Sequence, residues 1–244
     1  MGAIKKTFRT NGIVTRISPY KDKDQMVEIL TNEGFLSFLA KGVKNKKSKN
    51  IASLSLLSES EFLIEENNNG YLYLKEGLVK KAIPLENNYP KMVAYSLISE
   101  LNKTLINKED GSDIYPFLKQ ILTVLSNNYD PISASLLYFA YLLKKAGYGL
   151  NVSSCIRCNC KMDISGINYF DGGFICKNDI KDKEEIRDSE TLKIIRYIFL
   201  CPLEKVGTVS FPKNKAKKIL QDLIIYLENI STLKLKSSQL ISVL

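Results

Sequence analysis

The polar and apolar positions change their period once along the chain. From Arg9 to about Lys80 the apolar runs are short: residues 12–17 are rich in β-branched side chains, residues 25–30 alternate around Val27 and Ile29, and residues 35–40 follow. Alternation at period 2 sends successive side chains to opposite faces, which is the pattern of a half-buried strand. Residues 61–65 and 71–75 complete five such runs, and Ser18-Pro19, Asn32-Glu33-Gly34 and Asn67-Asn68-Asn69-Gly70 separate them as turns. The last of these is a strong hairpin signal, because Asn and Gly accept positive φ. Five short strands within about 70 residues predict a small barrel, and the OB-fold is the five-stranded barrel that handles oligonucleotides.

After the Ile83-Pro84 break the period becomes helical, with Leu118, Ile121, Leu122 and Leu125 recurring on one face. Asp130-Pro131 reads as a helix start, and residues 136–145 read as a largely buried helix ending at Gly147 or Gly149. Residues 151–180 break this texture with cysteines, glycines and aromatics; helical pattern returns near residues 188–200 and again over residues 214–230, just after Pro212. The prediction is an α+β multidomain chain: an OB-fold nucleic-acid-binding domain over residues 1–80, then a helical domain over residues 81–244 interrupted by a cysteine module at about 151–180.

Charge sharpens the first of these. Residues 1–50 hold eleven Lys or Arg against four acids, a net +7 out of +9 for the whole chain. That asymmetry makes a polyanion the natural partner of the β segment, the bland alternative being a solvated lysine-rich surface. Five lysines fall within Lys41-Gly42-Val43-Lys44-Asn45-Lys46-Lys47-Ser48-Lys49, in an expected loop after the third strand. Such a run can follow phosphates. It is not a phosphate-cradling glycine loop, since Lys47 stands where the second glycine belongs. Arg9, Arg16, Lys21, Lys23, Lys41, Lys44, Lys46, Lys47 and Lys49 are the candidate phosphate contacts. Of the interleaved aromatics, Phe35 or Phe38 is expected in the core and Tyr20, beside Lys21 and Lys23, at the surface.

Histidine is absent, which removes Ser-His-Asp and Cys-His nucleophiles and the usual His-rich catalytic zinc sites. The expectation is a protein that is not an enzyme and has no small-molecule substrate. No apolar signal segment is read at the start, and the longest apolar run, residues 132–143, is too short to span a bilayer. A cytosolic protein without a membrane partner is expected.

Four of the five cysteines lie within 22 residues, as Cys155-x2-Cys158-x-Cys160 and Cys176, the last followed by Asp179 with two residues between. A structural zinc site needs two short ligand pairs, each presenting two donors on a tight turn. Cys155, Cys158 and Cys176 fit that frame. The fourth ligand is either Asp179, favoured by the spacing, or Cys160, favoured by zinc's preference for sulfur. Gly166, Gly172 and Gly173 are expected in a loop that folds back, and Cys201 in a helix as a buried apolar residue.

These stretches together resemble the RecO family of bacterial DNA repair and recombination mediators, nearly end to end. The residues that carry the resemblance are Gly12-Ile13-Val14, Tyr20-Lys21-Asp22-Lys23-Asp24, Leu30-Thr31 before Gly34, and above all Ala40-Lys41-Gly42-Val43 ahead of the basic run. In the second half they are Leu143 with Ala146-Gly147-Tyr148 ahead of the first cysteine pair, and Phe170-Asp171-Gly172-Gly173-Phe174-Ile175-Cys176. The resemblance implies an N-terminal OB-fold and a helical C-terminal domain with one zinc ion. It implies binding of single- and double-stranded DNA, annealing of complementary strands, and loading of the RecA recombinase with RecR and single-stranded-DNA-binding protein, in the cytoplasm at the nucleoid. Asp179 departs from the family's four-cysteine pattern. Strand pattern and charge alone reach only nucleic acid, so an RNA-binding OB-fold accessory protein is the alternative.

Overall fold

The computed structural model describes residues 6–45, 47–82 and 88–241. The Ile83-Pro84 break and Lys46 lie outside the described residues. Five strands come first: β1 (Lys6–Tyr20), β2 (Asp24–Thr31), β3 (Gly34–Ala40), β4 (Glu59–Glu66) and β5 (Leu72–Lys81). Helices α1 (Tyr89–Leu105), α2 (Gly111–Ser126) and α3 (Pro131–Lys145) follow, then a hairpin of β6 (Ile164–Asn168) and β7 (Gly173–Cys176), and finally α4 (Ser189–Leu200), α5 (Lys213–Ile230) and α6 (Ser238–Ile241). No helix among the described residues is long and apolar enough to cross a membrane.

The five strands form a closed barrel in the order β1-β2-β3-β5-β4. Closure depends on β1, whose residues 6–13 pair with β4 and whose residues 13–20 pair with β2. A bulge between Val14 and Arg16 bends the strand where it changes partner. Ser18-Pro19, expected as a turn, instead continues β1, with Pro19 opposite Gln25; the turn is Lys21-Asp22-Lys23. Proline is tolerated there because this stretch of β1 lies beyond the β4 pairing and has one strand neighbour.

Alternation fills the barrel. Val14, Val27, Ile29, Phe38, Phe62 and Ile64 are fully or almost fully buried in one cluster, with Phe38 and Phe62 rings 5.3 Å apart. Each such side chain contributes about 1.5–3 kcal/mol by leaving water. Phe35 is half-buried, so of the two phenylalanines weighed from the sequence Phe38 is the core residue. The Asn67–Gly70 turn forms as expected: the Asn67 carboxamide oxygen accepts from the amides of Asn69 (3.0 Å) and Tyr71 (2.9 Å).

The chain divides into two compact units. One joins the barrel with residues 106–126, which lie beyond the expected boundary at residue 80. In it α2 packs on β2 and β3, and an added Cβ at Gly111 would lie 3.0 Å from both Leu30 and Phe35. Leu30 is therefore buried although it follows buried Ile29: one faces the barrel interior and the other the helix.

The second unit holds the remaining helices around α3, whose residues 136–140, 142 and 143 are all fully buried. The Asp130 carboxylate accepts from the Ser133 amide at 2.8 Å and Pro131 occupies the first turn. At the far end Gly147 takes a φ of +83°, and the Tyr148 amide donates back to Leu143 at 2.8 Å. Helix α1 goes beyond the sequence expectation, although Val93, Leu97, Leu101 and Leu105 recur at four-residue steps and Asn88 caps its start.

Candidate metal centre and nucleic-acid interface

Two short turns build the cysteine module. In the first, the Cys155 amide donates to Cys160 (2.8 Å) and the Asn159 amide to Cys155 (2.9 Å), with Asn159 at φ +61°. The second follows β7: Cys176 ends the strand and a single turn over Lys177–Asp179 brings Asp179 back beneath it. Gly166 and Gly173 lie in β6 and β7 rather than in a loop. They are glycine because backbone comes close; a Cβ would sit 2.6 Å from the Glu185 carbonyl and 2.3 Å from that of Asn151.

The two turns bring Cys155, Cys158, Cys176 and Asp179 together, with all four donor atoms within 4.8 Å of one another. The Asp179 carboxylate accepts from the Cys155 and Cys176 thiols, each at 3.2 Å, and the Cys158 and Cys176 sulfurs are 3.7 Å apart. Tetrahedral bonds of about 2.3 Å to sulfur and 2.0–2.2 Å to oxygen set edges of roughly 3.8 Å and 3.6 Å, near the Cys158–Cys176 separation and a few tenths of an ångström beyond the Asp179 contacts, so the group could hold such an ion after small shifts. Cys155 and Cys176 are buried while Cys158 is exposed. Cys160 lies outside the four and donates to the Met162 carbonyl.

Electrostatics follow from this crowding. Hydrogen bonds from Cys158, Cys155 and Cys176 hold the Asp179 carboxyl below its usual range, and the bond to Asp179 is what pushes the Cys158 thiol up most. Burial alone would raise Cys155, but backbone amides of Cys176, Arg157 and Cys158 outweigh it and lower that thiol.

Arg157, between the first two cysteines, clamps the module. Its guanidinium forks onto Glu185 at 2.7 and 3.1 Å, reaches Asp171 at 2.8 Å, and donates to the Asp179 backbone carbonyl at 2.5 Å. Glu185 also accepts from Asn168 (2.8 Å) and from the Lys181 amide (3.0 Å). Cys201 is not a buried helical residue: it caps α4, half-buried, because the helix stops at Leu200 before Pro202.

The lysines gather at one end of the barrel, which the strand register defines. Tyr20 pairs with Asp24, Gln25 with Ala40, Leu39 with Tyr73, and Leu72 with Glu66. The turn at residues 21–23, the start of loop 41–49 and the turn at 67–71 therefore share that end. Two backbone amides join the first two: that of Lys44 donates to the Lys23 carbonyl (3.2 Å) and that of Gly42 to the Asp24 carboxylate (2.8 Å). Lys21, Lys23, Lys41, Lys44, Lys47 and Lys49 are exposed. The Lys41 ammonium lies 4.4 Å from the centre of the Tyr73 ring and that of Lys21 5.6 Å from Tyr20. Tyr20 and Tyr71 are 42% and 64% exposed, large for aromatic residues.

Two candidates stand elsewhere. Arg9 is ion-paired with Glu61 at 2.9 Å, so the barrel itself meets its charge. Arg16 is exposed on the strand face opposite Glu28. Asp24, Arg157 and Glu185 are site residues that sequence reasoning misses, because they act through contacts 18 or more residues away. Tyr73 is among the aromatics interleaved with the basic residues in the sequence, and the structure sets it beside Lys41.

Both halves of the chain match known proteins. Residues 5–82 match the family model "Recombination protein O N terminal", and residues 86–239 match "Recombination protein O C terminal". A protein of Bacillus mycoides named DNA repair protein RecO is 27% identical over 234 residues, 94% of each chain. One of the same name from Mesoplasma florum is 29% identical over 86% of this chain and 90% of its own, and one from Bacillus cytotoxicus is 28% identical over 94% of each. Matched in both halves by the family's own models, the chain belongs to the RecO family.

Proposed function

We propose that this protein binds DNA in repair and recombination through the lysine-bearing end of its barrel, an OB-fold, with no catalytic step of its own. The observation that carries this is the gathering of Lys21, Lys23, Lys41 and Lys44 by a hydrogen-bonded turn and loop, with Lys47 and Lys49 on the same loop and Lys46 beside them in the sequence. Cations on connected loops follow a phosphate path, and exposed Tyr20 and Tyr71 offer ring faces to unpaired bases. Arg16 extends the contact along the β1–β2 face, and Arg9 joins only if its bond to Glu61 opens. The names of the relatives support the role in DNA repair.

The same function extends to double-stranded DNA, to annealing of complementary strands by screening their phosphates, and to loading of the RecA recombinase together with RecR and single-stranded-DNA-binding protein. It places the protein in the cytoplasm at the nucleoid. Cys155, Cys158, Cys176 and Asp179 would hold one zinc ion, with Cys160 the alternative fourth ligand. Four protein donors leave no open position for water, so the ion's contribution is structural.

Binding of an oligonucleotide by Lys44→Ala/Lys46→Ala/Lys47→Ala over a range of salt tests this function. Removal of each lysine that meets a phosphate should reduce the slope of log K against log salt by roughly 0.7–0.9. Unchanged affinity and slope would sink the proposal, and a matched RNA competing as well as DNA would move it to RNA.

A further inference from the structure

Asp24 stands among the lysines, where charge alone gives it no place if this end of the barrel meets phosphate. Its half-buried carboxylate accepts from the Gly42 amide at 2.8 Å. Two residues on, the Lys44 amide donates to the Lys23 carbonyl at 3.2 Å, and the Lys44 ammonium reaches the Lys21 carbonyl at 3.4 Å. These bonds tie residues 21–24 of one hairpin to residues 42–44 of a separate loop, and Asp24 supplies their carboxylate acceptor.

We infer that Asp24 is a positioning residue of the DNA interface, holding the Lys21–Lys23 turn and the Lys41–Lys49 loop in one arrangement so that their cations engage a strand together. The inference rests on the DNA-binding function proposed above. Residues 41–49 contain no strand or helix among the described residues; turn bonds such as Ser48 amide to Asn45 carbonyl shape the loop locally, and the contacts with residues 21–24 set its place relative to the hairpin. A loop ordered before binding does not have to be ordered by the ligand, and that difference appears as affinity. The acidic group thus aids binding of a polyanion although its charge opposes it. Asp24 also opens β2 opposite Tyr20, so the bond to Gly42 fixes the loop relative to an exposed aromatic ring as well.

Two substitutions of equal charge separate these effects. Asp24→Asn and Asp24→Ala each remove one negative charge, so electrostatics alone strengthens binding equally in both. Asn keeps an oxygen that can accept from Gly42, and Ala does not. With a single-stranded oligonucleotide, Asp24→Asn is expected to bind at least as tightly as the unaltered protein. Asp24→Ala is expected to bind about three- to tenfold more weakly than Asp24→Asn, with a salt slope shallower by about one phosphate. Equal melting temperatures for the two, beside that gap in affinity, support positioning over general destabilisation. Should Asp24→Ala not fold, Asp24→Ser, too short to reach the Gly42 amide, supplies the same comparison. The inference is overturned if the Ala or Ser variant binds within about twofold of Asp24→Asn at the same slope. If the unaltered protein binds no oligonucleotide, the DNA-binding function itself falls.

Discussion

Asp179 is the residue on which the proposed metal centre turns. An oxygen donor beside three sulfurs is the weakest member of a set that prefers sulfur, and here its carboxylate already accepts from two thiols at 3.2 Å. Asp179→Cys, which completes four sulfurs in the same place, should hold zinc longer against a chelator. Asp179→Ala should lose it faster, unless Cys160 swings in. Cobalt substitution reports which, because sulfur-to-cobalt charge transfer grows with the number of thiolates. Retention by the double variant Asp179→Ala/Cys160→Ser equal to that of the unaltered protein would remove both residues from the ligand set. The spacing Cys176-x2-Asp179 made the position legible in the sequence, because a ligand pair on one turn is a local property. Asp24 was not legible: an aspartate at a strand start carries no mark of the distant amide it will meet.

At the scale of elements, period was a reliable guide and partner choice was not. The five barrel strands and helices α2 to α5 can be read from alternation or helical spacing, since burial on one face imprints the pattern. The extent of β1 could not, because Pro19 marks a turn wherever both neighbours must pair and is harmless where only one does. The β6–β7 hairpin is brief, and side-chain bonds add to its few strand pairs, above all the fork of Arg157 onto Glu185. The Arg157 bond holds the Glu185 carboxyl down to about 2, with further help from Asn168 and the Lys181 and Asp182 amides against the cost of burial. A carboxyl lowered in the folded state stabilises above its unfolded pKa, about 4.3, and loses that contribution as pH falls towards 2. Metal-free protein should therefore lose melting temperature between those values, and Glu185→Gln should start lower and lose less; parallel profiles would contradict the assignment. Because Arg157 also bonds the Asp179 carbonyl, Arg157→Ala should weaken metal binding by about 10- to 100-fold, as loss of a group orienting a ligand does. Asp171→Asn, which alters an exposed carboxylate on the same guanidinium and leaves the Glu185 and Asp179 bonds in place, should leave metal affinity unchanged.

For the whole molecule, the consequential feature is that the barrel unit is not one continuous piece of chain. Residues 106–126 return to it after the chain has supplied α1 to the other unit. Local pattern could show that α2 is amphipathic but not which surface its apolar face meets, since that depends on Leu30 and Phe35 some 80 residues earlier. Leu30 is fully buried on the face that α2 covers. Leu30→Ala in the full chain should therefore cost about 2–5 kcal/mol, a core value rather than that of an exposed strand face. A chain ended at residue 82 should expose the same surface, bind a hydrophobic dye and melt with little cooperativity, even though it holds all five strands and most of the charge. Weak DNA binding by that fragment would then report a loosened barrel rather than missing cations. Cooperative melting of the fragment at the temperature of the full chain would instead show that the barrel stands without α2, and would support residue 80 as the boundary of an autonomous domain.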